Sequence, residues 1–182
     1  MDWVLSHHQS GHVGFKLMLN ANARVLEHLQ QREVPVIHVR RENALARFSS
    51  SVIAGETGRR VVLREAGGHQ RQSSAGQTAQ RVKVRFDADL FQEHWLWCKG
   101  MEKRLCGARN ILVTEYNDIG SSDWSDRVCR YLGVAPRCLS ASTIKLNSSD
   151  ILSRFSNPEE VEKYLASIGR LDWVEEGTRS IR

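Results

Sequence analysis

Residues Val36-Ile37-His38-Val39-Arg40-Arg41-Glu42-Asn43-Ala44-Leu45-Ala46-Arg47-Phe48-Ser49-Ser50-Ser51 constrain this chain more than any other stretch. A short β-branched run bounded by Pro35 predicts a buried strand. Two arginines follow directly, then Asn43, a good N-cap, and Leu45, Phe48 and Val52 at helical spacing. A strand that ends in arginine and turns into a helix gathers guanidinium groups and free helical N–H groups around one spot, which suits an anion. Arg41 and Ser49 lie eight residues apart, so a strand-end arginine and a serine two turns into the helix can hold one phosphate between them. The plainer reading is an exposed basic turn before an ordinary amphipathic helix.

A chain of 182 residues is long enough for one domain with a real core, and one domain over 1–182 is expected. With 41% apolar and 26% charged residues it reads as globular and not as a disordered chain. No apolar run approaches the roughly 20 residues that a membrane span needs. The start Met1-Asp2-Trp3 lacks the basic region and apolar stretch of a signal peptide, so the cytoplasm is the expected compartment and no membrane partner is expected. The net charge of +5 suits a polyanionic ligand but is scattered, and does not choose among nucleotides, nucleic acid and membranes. Cys98, Cys106, Cys129 and Cys138 form no CxxC pair and have no histidine at zinc-ligand spacing, so buried free thiols and no metal are expected.

Along the chain, alternation over His12–Leu19 suggests a strand, and Asn20–Arg32 a helix with Val25, Leu26 and Leu29 on one face. With the strand over 34–39 they predict a β-α-β unit with parallel pairing. The helix opened by Asn43 is expected to end near Gly55. A long loop follows over about 55–80, where Val61-Val62-Leu63 is the one strand-like run. Val82–Phe86 alternates, Asp87 is a plausible cap, and Leu90, His94, Trp97, Met101 and Leu105 mark a long amphipathic helix. Asn110–Glu115 predicts another strand, with Tyr116 at its end. Ser122 or Asp123 is expected to cap a helix that Gly133 stops, and Asn157-Pro158-Glu159-Glu160 to start one that runs to Gly169.

The run from Val36 to Ser51 resembles the second phosphate-binding motif of sulfotransferases that use 3′-phosphoadenosine 5′-phosphosulfate (PAPS), particularly bacterial members related to nodulation sulfotransferases. Further pieces resemble the family in the same order: HVGFKLML its preceding strand, NILVTEYNDI a later strand ending in Tyr-x-Asp/Glu, WSDRVCRYLGV a helix ending in Phe/Tyr-Leu-Gly-Val, and FSNPEEVEKYL a C-terminal helix. The resemblance implies an α/β fold, a P-loop NTPase-like three-layer sandwich with a parallel sheet. It implies PAPS as sulfuryl donor, no metal, and a hydroxyl or amine acceptor such as a carbohydrate. Arg41 and Ser49 would hold the 3′-phosphate, with Ser50 as the alternative serine, Arg40 sharing the work, and Tyr116 at the cofactor site.

The family's N-terminal strand and Gly/Ser/Thr phosphate loop, which cradle the 5′-phosphosulfate, have no counterpart here. The chain is therefore expected to begin after that element and to lack the first strand of the sheet. Where relatives carry a lysine and a histidine two residues apart, this chain has Lys16 and Met18. Lys16 is the candidate catalytic residue by that resemblance, and His12 and His38 are the nearby candidates for a base. Omitting an interior strand exposes strand edges or forces two other strands to pair directly. A truncated sulfotransferase and a non-catalytic module recognising 3′-phosphoadenosine nucleotides are the two readings. A nucleic-acid partner is not expected, because no helix concentrates basic residues and the aromatics do not interleave with arginines.

Overall fold

In a computed structural model of the protein, residues 14–17, 23–58, 82–105, 109–139 and 148–176 are described. The chain divides into two compact units, 1–34 and 35–182. In the first, helix α1 (Ala23–Gln31) buries Leu26 and Leu29. Residues 14–17 form no strand, contrary to the alternation, and Gly14, Phe15 and Lys16 are exposed. A two-residue period makes a strand only where a neighbour takes its backbone hydrogen bonds, and Gly14 weakens the segment further. The rest of the expected His12–Leu19 strand lies outside the described residues.

The second unit carries β1 (Val36–Arg40), α2 (Ala44–Thr57), α3 (Ala88–Leu105), β2 (Ile111–Glu115), α4 (Ser122–Leu132) and α5 (Pro158–Ser167). Short 3-10 turns stand at Tyr116–Asp118, Leu152–Arg154 and Leu171–Val174. Strands β1 and β2 pair in parallel, with Val36 opposite Ile111 and Arg40 opposite Glu115. Among the described residues the parallel partner of β1 is thus a strand far along the chain. The fold is mixed helix and strand around a small two-stranded parallel sheet. A parallel pair needs a long crossover, and here both α2 and α3 lie between its strands.

Helix α2 opens at Asn43, whose side-chain oxygen accepts from the Ala46 N–H at 2.9 Å. It runs through Gly55 and stops at Gly58, where the backbone turns left-handed at φ 65°. Glycine is tolerated inside a helix, so the stop falls at the glycine that supplies positive φ. Of the expected loop over 55–80, residues beyond 58, with Val61-Val62-Leu63, lie outside the described set. Asp87 caps α3 through the Asp89 and Leu90 N–H groups, both at 3.0 Å. Ser121, one residue before the expected caps, caps α4 because its hydroxyl reaches the Trp124 N–H three residues on. Asn157 precedes Pro158 as expected, but its side chain makes no cap bond. It holds the Phe86 N–H at 2.8 Å and carbonyl at 3.0 Å instead, fixing the 82–87 segment.

Those bonds extend a short parallel bridge between Val84 and Phe155. Val84, Phe86 and Phe155 enter a core shared with Leu45, Phe48, Phe91, Ile151, Val161, Leu165 and Trp173. The rings meet mostly edge-to-face: Phe48 on Phe91 at 5.5 Å, Phe86 on Phe155 at 5.7 Å, and Trp95 on Trp173 at 5.2 Å. On α3 the buried residues are Phe91, Cys98 and Leu105, while Leu90 and Trp97 are exposed. Phe91 and Cys98 stand one residue on from the expected Leu90 and Trp97, while Leu105 is buried as expected and His94 and Met101 are half-buried. Cys98 and Cys129 are buried free thiols; Cys138, on the irregular segment after α4, is free but exposed. No described helix is long and apolar enough to cross a membrane.

This placement predicts a sharp contrast between neighbours. Phe91→Ala should cost about 3–5 kcal/mol in urea denaturation, and Leu90→Ala no more than about 0.5 kcal/mol.

Candidate functional site

Arg40, the last residue of β1, and Arg41, just past its end, turn to different partners. Arg40 turns to its in-register neighbour Glu115, with Nε 2.7 Å from Oε1. It is paired there, while Arg41 has other partners. Arg41, past the strand end, turns toward the first turns of α2 and the segment after Trp173. Its Nη1 donates to Ser50 Oγ at 3.0 Å, and its guanidinium carbon lies 4.9 Å from the Tyr116 ring centre.

Ser49 and Ser50 are about 100° apart around α2, which decides their partners. Ser49 is fully buried, donates to the Ala46 carbonyl at 3.2 Å and accepts from Arg154 Nη1 at 2.9 Å. Ser50, nearer the rim, accepts from Arg41 and from Arg154 Nη1 at 3.4 Å. Arg41, Ser49, Ser50 and Tyr116 therefore stand in one cluster, with Ser50 and not Ser49 on Arg41. Arg154 completes it from the 3-10 turn before α5, held by the Ser148 carbonyl. Burial first, and the charge of Arg41 second, push the Arg154 pKa down to about 10, against Glu176, Asp150 and Tyr116, so it stays cationic at neutral pH.

An anion already stands between the two guanidinium groups. Glu176 accepts from Arg41 Nε at 2.5 Å and Nη2 at 2.6 Å, and lies 3.7 Å from Arg154 Nη2. Its side chain is 1% exposed, against 16% for Arg41 and 3% for Arg154. Beside this cluster opens a cleft of about 230 Å³. Arg41, Tyr116, Arg170 and Trp173 line it together with the carboxylates of Glu42, Glu115, Asp118, Asp172, Glu175 and Glu176. Beyond the arginine corner the cleft thus carries acidic groups.

Sequence reasoning missed Arg154 and Glu176. A single arginine inside the apolar run Ile151-Leu152-Ser153-Arg154-Phe155 was a readable sign of a buried cation that needs partners. Glu176 carries no comparable sign. Lys16 lies in the first unit, exposed and outside helix or strand. His12 is outside the described residues. His38 is half-buried, and its Nε2 is buried without a hydrogen-bond partner among the described residues. Burial holds its pKa low, with Arg40 and Arg47 adding to the effect and Glu102 and Glu115 opposing it. His94 is lowered by burial and then by Arg47. Among the described residues, no group of three or more His, Cys, Asp or Glu side chains is placed to hold a metal ion. No protein-family model, curated protein or solved structure matches the chain.

Two outcomes follow from these environments. Arg41→Met should destabilise the chain by about 3 kcal/mol in chemical denaturation, the low end for a broken buried pair because Arg154 still faces the carboxylate. The lowered histidines act on pH dependence. Below the ordinary histidine value of about 6.5 the unfolded chain binds protons that the folded chain refuses, so stability falls as pH drops through that value and below. A His38→Gln/His94→Gln chain should lose less stability between about pH 6.5 and 5.

Proposed function

We propose that the Arg41 corner is a phosphate site for the 3′-phosphate of a 3′-phosphoadenosine nucleotide, on a sulfotransferase-like chain with PAPS as donor to a hydroxyl or amine acceptor. The observation that carries this reading is that Arg41 and Arg154 face one buried carboxylate, with Ser50 and Ser49 bound to those two guanidinium groups. A guanidinium fork that holds a carboxylate in two-point fashion also matches phosphate, since both present paired oxygens at similar spacing. The two guanidinium groups would meet the phosphate, Ser49 and Ser50 hold those groups in place, and the Tyr116 ring lies under Arg41 beside them. On this reading the small parallel sheet is the remnant of a P-loop NTPase-like sandwich, with β1 and β2 paired directly where that architecture puts another strand between them.

PAPS, when bound, would supply the sulfuryl group. The work assigned to this chain is to anchor the nucleotide's ribose-attached phosphate, neutralise its charge and fix the orientation of the adenosine. Arg41 and Arg154 neutralise, while Ser49 and Ser50 set the position. A second reading, binding without catalysis, is favoured by the acidic lining of the cleft, which repels a further anionic group such as a phosphosulfate.

Calorimetry with the full chain tests the site. Adenosine 3′,5′-bisphosphate should bind at least about tenfold more tightly than adenosine 5′-monophosphate, a difference of ~1.4 kcal/mol, and Arg154→Met should abolish the preference. Equal binding of the two nucleotides would sink the assignment. A turnover assay with PAPS and mixed sugar acceptors then separates the readings, since sulfated product marks the enzyme and binding without product marks the module.

A further inference from the structure

We infer that Glu176 is a displaceable internal occupant of the phosphate site, a carboxylate that an incoming phosphate must expel. The inference rests on the reading of the Arg41 corner as an anion site and adds its regulation. Three features support it.

The first is a mismatch of charge and shape. Two nearly buried guanidinium groups face a single carboxylate within 4 Å of both, so the contact set carries two positive charges against one negative. A carboxylate presents two oxygens. Both are taken by Arg41, and Arg154 is left at 3.7 Å, beyond hydrogen-bond length. Arg154 instead gives Nη1 to Ser49, Ser50 and the Ala46 carbonyl, and Nε and Nη2 to the Ser148 carbonyl, so neutral oxygens and not a second anion hold it. A phosphate dianion carries the second charge and a third oxygen, and so satisfies both guanidinium groups at once. Burial first and the charge of Arg41 second lower the Arg154 pKa, and Glu176 offsets them only in part.

The second feature is the way Glu176 is tethered. The last firm anchor before it is Trp173, buried against Phe91 and Trp95. The Ile151 N–H bonds the Val174 carbonyl at 3.0 Å, close to that anchor. Past this point the Glu176 N–H bonds the Ser149 carbonyl at 2.9 Å, and Asn43 Nδ2 reaches the Glu175 carbonyl at 3.2 Å. Glu175 and Ser149 are both exposed, so water can take over the groups that a departing Glu175–Glu176 leaves behind. Expelling the carboxylate therefore breaks the bonds of the Glu176 N–H and the Glu175 carbonyl while the Trp173 anchor stays in the core.

The third is position. Glu176 lines the same cleft as Arg41 and Tyr116, so a ligand entering the cleft meets the carboxylate at the point where it would place a phosphate. A site closed by its own side chain binds with an affinity reduced by the fraction of time it stands open.

The test compares the full chain with Glu176→Gln, which keeps the shape and removes the charge. Inorganic phosphate and adenosine 3′,5′-bisphosphate are each titrated by calorimetry. The variant should bind phosphate at least about tenfold more tightly than the parent, as the closed fraction falls. Equal or weaker phosphate binding by the variant overturns the inference. Should the variant fail to fold, the parent decides by hydrogen exchange: phosphate should speed exchange of the Glu176 amide, and unchanged or slowed exchange overturns the inference. The nucleotide reading is scored apart. A variant that gains phosphate affinity yet treats the bisphosphate and adenosine 5′-monophosphate alike keeps the displaceable carboxylate and removes the nucleotide. A parent and variant that prefer the bisphosphate equally, with equal affinities, do the reverse.

Discussion

One amide side chain joins the two halves of the site. Asn43 accepts the Ala46 N–H and so fixes where α2 begins, and its Nδ2 group donates to the Trp173 and Glu175 carbonyls. The helix start sets the angular positions of Ser49 and Ser50, and the carbonyl contacts set where the Glu176 carboxylate comes to rest. Without a residue that can both accept and donate at this point, the helix would still form, but the Trp173 and Glu175 carbonyls would lose their tie to the strand-helix corner. Few side chains meet that requirement, since a serine or aspartate cap would lack the second pair of donors.

Beneath the corner the aromatic core supplies rigidity. Phe48, on the same helix as both serines, meets Phe86, Phe91 and His94 edge-on, while Trp173 seats the segment that carries Glu176. Ring packing thus holds the serine side of the site and the carboxylate side in one body. The sheet contributes less: it aims Arg41 out of β1 and retains Arg40 on Glu115. Most of the burial in this unit belongs to helices and irregular segments and not to strands.

The corner was legible in the sequence because its signals are local. A proline-bounded β-branched run, a capping asparagine and a three-four apolar spacing act over a few residues, and they place Arg41, Ser49 and Ser50 on one strand-helix corner. What local pattern could not decide was which serine meets which arginine, because that depends on a second arginine brought from far along the chain. The same holds for α3, where the apolar spacing from Leu90 is nearly as good as that from Phe91, and only the ring cluster chooses between them. The pairing of β1 with the distant β2 was illegible for a related reason. Alternation marks a segment that can pair, while the choice of partner is made by the whole fold. Glu176 had no local signature at all, since an acidic residue near an apolar turn is ordinary on a surface.

The separations along the chain at this corner have a kinetic consequence. Arg40 meets a residue 75 positions away, Ser49 meets Arg154 across 105, and Arg41 meets Glu176 across 135. Closing loops of that size costs entropy that local contacts do not incur, so helices and nearby turns assemble first and the arginine corner assembles late. Partly folded chains consequently have no grip on an anion. A ligand held there acts on the finished molecule alone, and draws the population toward it by mass action.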